Sequence, residues 1–231
     1  MKNKQITTIF VDCFNTIIVR KVKNKEIFKI WAKELSKQYD IPWNVFYKTY
    51  KKVNFNLCFK KLLLSLTLQE SFDVVLNKMF IKLVKKYPFL NDTKFVSNAK
   101  NIYIQTELNN FSLNDEMIKL LEEAKNSNKQ IYLVSDFYCT SDTFYYWFEE
   151  LKISYLFDSI FSSCDNLKEK ATGKIYKMLI KKLDLNSKNI KMYGDNIWSD
   201  IFMAKVHGLN TQRIKSSKEH KWKTNQNHKT L

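Results

Sequence analysis

The sequence predicts an α/β fold in which a doubly wound, Rossmann-like parallel sheet forms the core and an all-helical cap is inserted after the first strand. Two patterns lead to this prediction. In the second half of the chain, short apolar runs alternate with segments of helical spacing, as expected for parallel strands joined by helices. The 231 residues also include only three glycines and two prolines, which favours long helices over a turn-rich β fold.

The first strand is predicted over residues 6–11, where β-branched and apolar residues follow one another. A run without sustained polar alternation is typical of a strand that is buried on both faces of a parallel sheet. The run ends at Asp12, within the stretch TTIFVDCFNTIIVR. A carboxylate at the tip of a buried strand is a candidate functional group, although Asp at such a position is also common as a turn former.

The helical cap is predicted over residues 21–109. Three segments of this block carry apolar residues at helical spacing, and breaks near Pro42 and Pro88 separate them. Residues 92–111 show a weaker helical pattern. Because the block has no convincing strand pattern, we expect it to be entirely helical.

The core is predicted over residues 1–20 and 110–215. After the cap, its elements are a helix at 114–127, a strand at 130–135, a helix at 142–151, a strand at 159–163, a helix at 173–183, a strand at 189–195, a helix at 199–205 and a strand at 211–214. This alternation implies a parallel sheet with right-handed crossovers.

The net charge of +16 suggests nucleic-acid binding, but the composition does not favour it. Only two of the 39 basic residues are arginine, whose planar fork is the group best suited to bidentate contacts with phosphates and bases. The lysines are scattered over every segment of the chain. We therefore expect no nucleic-acid partner, and we expect the basic tail at residues 216–231 to be poorly ordered.

The sequence predicts a cytoplasmic protein that has no membrane contact. No cationic start is followed by an apolar stretch of signal length, and no apolar run approaches the ~20 residues that span a bilayer. The four cysteines are widely spaced and form no CxxC pair, so neither a zinc site nor a disulfide framework is expected. Nothing in the sequence predicts an oligomeric state.

Polar side chains follow four of the predicted strands. They are Asp12 after the first, Ser135 and Asp136 after the second, Ser162 and Ser163 at the end of the third, and Asp195 after the fourth, with Asp200 five residues further on. The carboxyl ends of parallel strands meet at one edge of the sheet, where functional residues gather. Two carboxylates brought together there repel each other unless a cation lies between them. Oxygen ligands of this kind predict a Mg²⁺ site.

Four segments resemble the four motifs of the haloacid dehalogenase (HAD) superfamily of phosphohydrolases. The segments are VDCFNT, YLVSD, KATGKIY and YGDNIWSD, and they occur in the order and spacing of that family. The resemblance covers residues 6–20 and 112–214, and the helical block between the first two motifs resembles the cap that many members insert there. It implies an enzyme that hydrolyses a small phosphorylated metabolite.

The resemblance also implies catalytic roles for the matching residues. Asp12 would be the nucleophile that forms an aspartyl-phosphate. Ser135 would hydrogen-bond a phosphoryl oxygen, with Asp136 beside it in the phosphate site. Lys170 would neutralise Asp12 and the phosphate, with Lys168 and Lys174 as competing assignments.

The metal ligands implied by the family are Asp12, Asp195 and the backbone carbonyl of Phe14. Asp200 would lie one layer further from the metal, where it would hold a metal-bound water or orient Lys170. Asn15 is assigned to substrate or phosphate binding, with a turn residue as the alternative.

Phe14 departs from the phosphatase pattern, since most phosphatases of the family have a second Asp at this position that protonates the leaving oxygen. General acid–base catalysis is typically worth ~10²–10⁴ in rate, so the change matters. Three explanations are open. The chain could be a dehalogenase, whose relatives also carry an aromatic residue there. It could be a phosphatase whose acid is Asp136, a cap residue or metal-bound water. It could also be a degenerate relative that binds without turnover.

We favour a Mg²⁺-dependent phosphatase. DCFNTIIVRKV is similar to the DxFDT and LxxR pattern of a HAD subgroup that is often associated with surface-polysaccharide synthesis, although Asn15 replaces the second acid of that pattern. A cap over the sheet edge would restrict entry to small phosphomonoesters. Phosphorylated sugars, sugar acids and amino alcohols all fit this prediction.

Overall fold

The structure is a computed structural model in which residues 5–63, 70–90 and 92–215 are described. The basic tail predicted at residues 216–231 lies outside the described residues. Seven strands are present in the described part: β1 Thr8–Val11, β2 Ile18–Arg20, β3 Phe111–Leu113, β4 Gln130–Ser135, β5 Ser159–Ser162, β6 Ile190–Gly194 and β7 Asn210–Arg213.

Five of these strands form one parallel sheet in the order β5-β4-β1-β6-β7. The chain builds outward from β1 first through β4 and β5 and then, on the other side, through β6 and β7. The strand order therefore reverses between β1 and β6, which is where ligands bind in open α/β sheets. The α/β fold class predicted from the sequence is confirmed.

Nine α-helices lie in the described part: α1 Asn24–Gln38, α2 Trp43–Leu63, α3 Phe72–Lys86, α4 Phe95–Asn109, α5 Asp115–Asn126, α6 Ser141–Glu150, α7 Ser163–Asn166, α8 Lys174–Lys182 and α9 Met203–Val206. The first four all lie between β2 and β3 in the chain. The division into cap and core at residues 20 and 110 stays a prediction, but its helical content agrees with these four helices.

The sequence analysis missed a small antiparallel ribbon at the base of the helical block. β2 pairs with β3, and Arg20 lies opposite Phe111. We expected Phe111 to end a helix, but it begins a strand. Strands of three residues are too short to show a period, and this pairing joins segments that are far apart in the chain.

A second difference concerns the helix expected at residues 199–205. The chain instead forms a π-helical segment, Ile197–Phe202, followed by the short helix α9. π-helical turns are rare and occur frequently at functional sites. This segment carries Asp200, one of the predicted site residues.

Alternate residues of β1 pack on opposite faces of the sheet, as the two-residue period of a strand requires. Ile9 and Val11 belong to a core cluster that includes Leu121 of α5 and Trp147 of α6. Phe10 belongs to a second cluster that contains residues of α8 and α9. The first cluster continues into α1, α2, α3 and α4, so the helical block shares one apolar core with that face of the sheet. Within the described residues, no helix has both the length and the apolar character needed to cross a bilayer.

Candidate active site

The site lies at the carboxyl edge of the sheet, beside the point where the strand order reverses. Asp12 follows β1, and its backbone N–H donates to the carbonyl oxygen of Tyr193 on β6 at 2.9 Å. This bond extends the pairing of β1 and β6 by one residue and holds Asp12 close to the end of β6, where Asp195 follows. Asp12 is buried, with 8% of its surface exposed.

Lys170 is the lysine that reaches Asp12. Its Nζ lies 2.5 Å from Oδ1 of Asp12 and 2.7 Å from Oδ1 of Asp200, and the residue is only 2% exposed. Lys168 instead donates to the backbone carbonyl of Asn166 at 3.4 Å, and Lys174 is exposed at the start of α8. Of the three lysines that the sequence offered as partners of Asp12, Lys170 is the one that contacts Asp12 and Asp200.

Asp136 fixes the turn that carries Lys170. Its Oδ1 accepts the backbone N–H of Lys170 at 2.8 Å, and its Oδ2 accepts that of Ala171 at 3.1 Å. Both oxygens of the carboxylate are thus engaged by one turn. Burial raises the pKa of Asp136 above its ordinary value, although Lys170 and the two N–H groups act in the opposite direction.

Asp200 is packed against the backbone at the end of β6. Its Oδ1 accepts from the Ser199 hydroxyl at 3.2 Å and its Oδ2 accepts from the Asn196 N–H at 3.1 Å. A Cβ at Gly194 would lie 2.3 Å from Oδ2 of Asp200, so this close approach requires glycine. Asp200 is fully buried and, through its contact with Lys170, it orients the ammonium.

Three carboxylates, from Asp12, Asp195 and Asp200, have oxygens that all lie within 4.8 Å of one another. Burial, followed by the charge of Asp200, raises the pKa of Asp195. Burial opposes the charge on Lys170, but the carboxylates of Asp12 and Asp200 outweigh it and hold its pKa well above the usual range. The cluster therefore contains three acids and one ammonium.

The charge state of Asp12 reflects this imbalance. Burial raises its pKa to about 7, and Asp200 and Asp195 add to the shift, while Lys170 lowers it. An additional positive charge near the three acids would favour the ionised form of Asp12. The donor set consists of carboxylate oxygens, which are the ligands that Mg²⁺ prefers.

Asn15 and Phe14 point to different parts of the site. Asn15 adopts a left-handed conformation with φ of 58°, and its Nδ2 donates to Oδ2 of Asp195 at 3.0 Å. The Phe14 ring packs with Phe137, with ring centres 4.4 Å apart. The side chain of Phe14 is therefore part of an aromatic cluster, and the proposed role of its carbonyl as a metal ligand remains a prediction.

Ser135 ends β4 and is 2% exposed. Its neighbour across the sheet is Ser162 of β5, whose hydroxyl donates to the carbonyl oxygens of Phe137 and Cys139. These bonds shape the loop that follows β4. Hydrogen bonding of a phosphoryl oxygen by Ser135 stays a prediction.

Sequence reasoning missed a second buried ionic cluster next to Phe14. The guanidinium of Arg20 lies 4.1 Å above the Phe14 ring and forms a two-pronged pair with Glu107 of α4, at 2.8 Å and 2.7 Å. Tyr103 donates to Glu107, and the hydroxyls of Tyr103 and Tyr138 are hydrogen-bonded to each other. The available signal was that Arg20 is one of only two arginines and follows the first motif closely.

The doubly wound sheet thus brings a buried carboxylate–lysine pair and two further carboxylates together at its switch point. The sequence matches the family model of the haloacid dehalogenase-like hydrolases over residues 6–208, so the chain belongs to this family. The predicted family is thereby confirmed. No curated protein sequence matches the chain.

Solved structures of this family share the fold. The putative HAD-hydrolase YfnB from Bacillus subtilis, bound to magnesium, is 20% identical with a TM-score of 0.58, covering 91% of this chain and 89% of that one. L-2-haloacid dehalogenase from Xanthobacter autotrophicus is 13% identical with a TM-score of 0.55, covering 91% and 78%. A HAD phosphatase from Thermococcus onnurineus is 15% identical with a TM-score of 0.54, covering 90% and 86%. At these identities the likeness shows the fold alone.

Proposed function

We propose that the protein is a Mg²⁺-dependent phosphatase that hydrolyses a small phosphomonoester through an aspartyl-phosphate on Asp12. The observation that supports this most strongly is the cluster of the Asp12, Asp195 and Asp200 carboxylates, of which only two contact the ammonium of Lys170 among the described residues. The excess negative charge suits a divalent cation. Among proteins of this fold, YfnB binds magnesium, and the protein from Thermococcus onnurineus is a phosphatase.

Asp12 and Asp195 would hold the ion, with the carbonyl of Phe14 as a further proposed ligand. When bound, Mg²⁺ would offset the repulsion between the Asp12 carboxylate and a dianionic phosphate. Asp200 is better placed to support Lys170, because both of its oxygens already accept hydrogen bonds. Asn15 would position Asp195 through the 3.0 Å contact of its side chain.

The reaction follows from the position of Asp12. An oxygen of its carboxylate forms a bond to phosphorus while the bond from phosphorus to the alcohol oxygen breaks, and the alcohol leaves with a proton. Water then attacks phosphorus and the bond to Asp12 breaks, which releases phosphate and restores the carboxylate. Lys170 stabilises the charge of the transferring group, and Ser135 would donate a hydrogen bond to it.

The proton for the leaving alcohol cannot come from Phe14. Asp136 has a raised pKa, but both of its oxygens are engaged by the turn that carries Lys170. We therefore infer that Asp136 acts mainly by positioning Lys170. We propose instead that a cap residue or a metal-bound water donates this proton.

Phe14 is the observation that favours a second candidate, a haloacid dehalogenase. In that reaction a carboxylate attacks carbon and displaces halide, and no Mg²⁺ is involved. We rank it below the phosphatase, because Asp195 and Asp200 provide, beside Asp12, the acidic group expected of a metal site. A non-catalytic protein that binds a phosphorylated ligand is the third candidate.

The first motif resembles that of the HAD subgroup with the DxFDT and LxxR pattern. We therefore extend the phosphatase proposal to substrates that are precursors of surface polysaccharides.

The experiment measures phosphate release from a panel of small phosphomonoesters with Mg²⁺ and with chelator, and halide release from 2-haloacids. We expect Mg²⁺-dependent phosphate release that falls by roughly 10⁴-fold or more in Asp12→Asn. Asp40→Asn, which alters an exposed carboxylate outside the site, is the matched control and should retain activity. Halide release without Mg²⁺ would support the dehalogenase. If neither phosphate nor halide is released, the non-catalytic binding protein is favoured.

A further inference from the structure

The helical block is unevenly charged on the side formed by α2 and α3. These two helices together contain nine lysines and one acidic residue, Asp73, whose carboxylate pairs with Lys100 of α4 at 2.8 Å. In α1, by contrast, two of the four lysines pair with glutamates three residues away. The lysines are scattered over the whole chain, but the acids that could balance them are nearly absent from α2 and α3. These two helices therefore contribute a large excess of positive charge.

A groove of about 360 Å³ lies between α2 and α3. The buried side chains of Val53 and Leu57 line it on the α2 side, and the exposed side chain of Ile81 lines it on the α3 side. Three exposed lysines of α3 complete this side: Lys78, Lys82 and Lys85. No acidic residue lines the groove among the described residues. Apolar side chains bordered by ammonium groups suit an anionic amphiphile, which has a charged head and an apolar chain.

Exposed apolar side chains continue from the groove onto the outer surface of α2. Phe59 follows the groove residue Asn56 by three positions, so the two lie on the same side of the helix. Phe59 is 53% exposed and stacks on Phe55, which is 68% exposed, with ring centres 6.2 Å apart. Ile81 on the facing helix is 56% exposed. Large apolar side chains grouped in this way mark an interaction surface, whereas single ones are ordinary.

We propose that this side of the helical block binds an anionic lipid surface peripherally. The residues that would contact the lipid form a basic face: Phe55, Phe59, Lys78, Ile81, Lys82 and Lys85. The lysines would contact acidic headgroups, and the apolar side chains would enter the boundary between headgroups and acyl chains. Such contact needs no membrane-spanning helix. It differs from the sequence-based expectation of no membrane contact, and it does not depend on the proposed phosphatase activity.

Two features favour a lipid surface over a nucleic acid or an acidic protein. Every basic residue of α2 and α3 is a lysine. Lysine is a strongly hydrated point charge, whereas arginine is the residue suited to bidentate recognition of phosphates and carboxylates. The exposed apolar side chains beside the lysines also gain free energy when they leave water for the acyl boundary, and a phosphate backbone offers no apolar phase.

Co-sedimentation of the full chain with vesicles tests the proposal. One set of vesicles contains phosphatidylglycerol and phosphatidylcholine in equal parts, and the other contains phosphatidylcholine alone. We expect binding to the anionic vesicles to be stronger by about tenfold or more, and to weaken as ionic strength rises. Equal binding to both sets, or binding to neither, would overturn the proposal and leave the proposed phosphatase unaffected.

A pair of lysine variants assigns the binding to the basic face. The double variant Lys78→Gln, Lys82→Gln should lower the affinity for anionic vesicles by roughly 30-fold, because each lysine near such a surface contributes a factor of about five. The control is Lys177→Gln, Lys181→Gln, which removes two exposed lysines of the same spacing from α8. Equal losses in the two double variants would mean that only net charge matters, which contradicts the proposal.

An aromatic variant separates lipid from other polyanions. Phe59→Asn should weaken binding to anionic vesicles by about tenfold, because the ring no longer enters the acyl boundary. Phe202→Asn, which removes a similarly exposed and stacked ring from the core, is the control and should bind like the unmodified chain. Unchanged binding of Phe59→Asn would contradict a lipid partner. If a DNA oligonucleotide or polyglutamate binds more tightly than the vesicles and requires the same lysines, the face belongs to a nucleic acid or an acidic protein, and the proposal is overturned.

Discussion

Two buried ionic clusters lie close together in this protein, and they differ in the balance of their charges. At the sheet edge, the carboxylates of Asp12, Asp195 and Asp200 cluster, and the ammonium of Lys170 contacts those of Asp12 and Asp200. At the base of the helical block, one guanidinium faces one carboxylate, Arg20 and Glu107, through two short hydrogen bonds. Tyr103 donates a further hydrogen bond to Glu107.

The difference separates a binding centre from a structural one. Glu107 is fully buried and Arg20 compensates its charge, so this pair needs no further ion and joins α4 to β2. The acidic centre holds three carboxylates against one ammonium; burial raises the pKa of Asp12 and of Asp195, and the charge of Asp200 adds to both shifts. A cation would balance the acidic centre, and this is the physical basis for the Mg²⁺ site that we propose.

The largest expected effect is that of Lys170→Met on activity. The substitution removes the ammonium that faces Asp12 and Asp200, so charge on the transferring phosphoryl group loses its fixed partner. We expect kcat to fall by about 10²–10³-fold or more in a phosphate-release assay. Lys168→Met, two residues earlier and outside the cluster, is the control. Comparable losses in both variants would show that Lys170 has no special place in the reaction.

Glu107→Gln tests the balanced cluster. The variant leaves the buried guanidinium of Arg20 without its compensating charge, and we expect the free energy of unfolding to fall by about 3–5 kcal/mol in urea denaturation. The double variant Arg20→Met, Glu107→Leu removes both charges and should recover most of the loss. A change below ~1 kcal/mol in the single variant would contradict a structural role for the pair.

The pH dependence of the metal-free protein tests the raised pKa of Asp12. The unfolded carboxyl ionises near its ordinary value of 3.8, whereas the folded one holds its proton up to a pH of about 7. Raising the pH from 4 to 7 therefore favours the unfolded state, and stability should fall across this window. The loss should reach a few kcal/mol, since each pKa unit corresponds to about 1.36 kcal/mol. The Asp12→Asn protein should not show this loss of stability between pH 4 and 7. Parallel pH profiles of the two proteins would contradict a raised pKa of Asp12.

Addition of Mg²⁺ should stabilise the acidic centre and not the Arg20 pair. At a Mg²⁺ concentration of a hundred times Kd, linkage predicts a gain of about 2.7 kcal/mol, which thermal denaturation detects as a rise in Tm. The rise should be much smaller in Asp195→Asn and should persist in Glu107→Gln relative to its own metal-free Tm. A rise of the same size in Asp195→Asn would remove that carboxylate from the proposed metal site.

The smallest effect on the unfolding free energy is expected for Asp195→Asn without metal, and it contrasts most sharply with that of Glu107→Gln. Removing one acid from an over-acidic cluster relieves repulsion, so the unfolding free energy should change by less than about 1 kcal/mol or increase. The chemically identical change from carboxylate to amide at Glu107 should be strongly destabilising. Equal losses at the two positions would mean that charge balance does not distinguish the clusters.

Local patterns in the sequence were enough to predict the architecture and the positions of the acids. Hydrophobic periodicity is a property of neighbouring residues, so it identified the strands of the sheet to within a few residues. Because parallel strands end at one edge, Asp12, Ser135 and Asp195 could be placed there without coordinates. The four motifs, which resemble those of the HAD family, agreed with this placement.

Other features depend on contacts between distant parts of the chain, and only the folded structure reveals them. Lys170, and not Lys168, contacts Asp12 because its turn is fixed by Asp136, which follows β4 and lies 34 residues earlier in the chain. Arg20 and Glu107 are separated by 87 residues, and nothing in either local sequence pairs them. A cavity between the sheet edge and the helical block is lined by residues of five segments that lie far apart in the chain. Side-chain direction and loop path depend on packing across the whole molecule, whereas periodicity and strand ends depend on the adjacent residues alone.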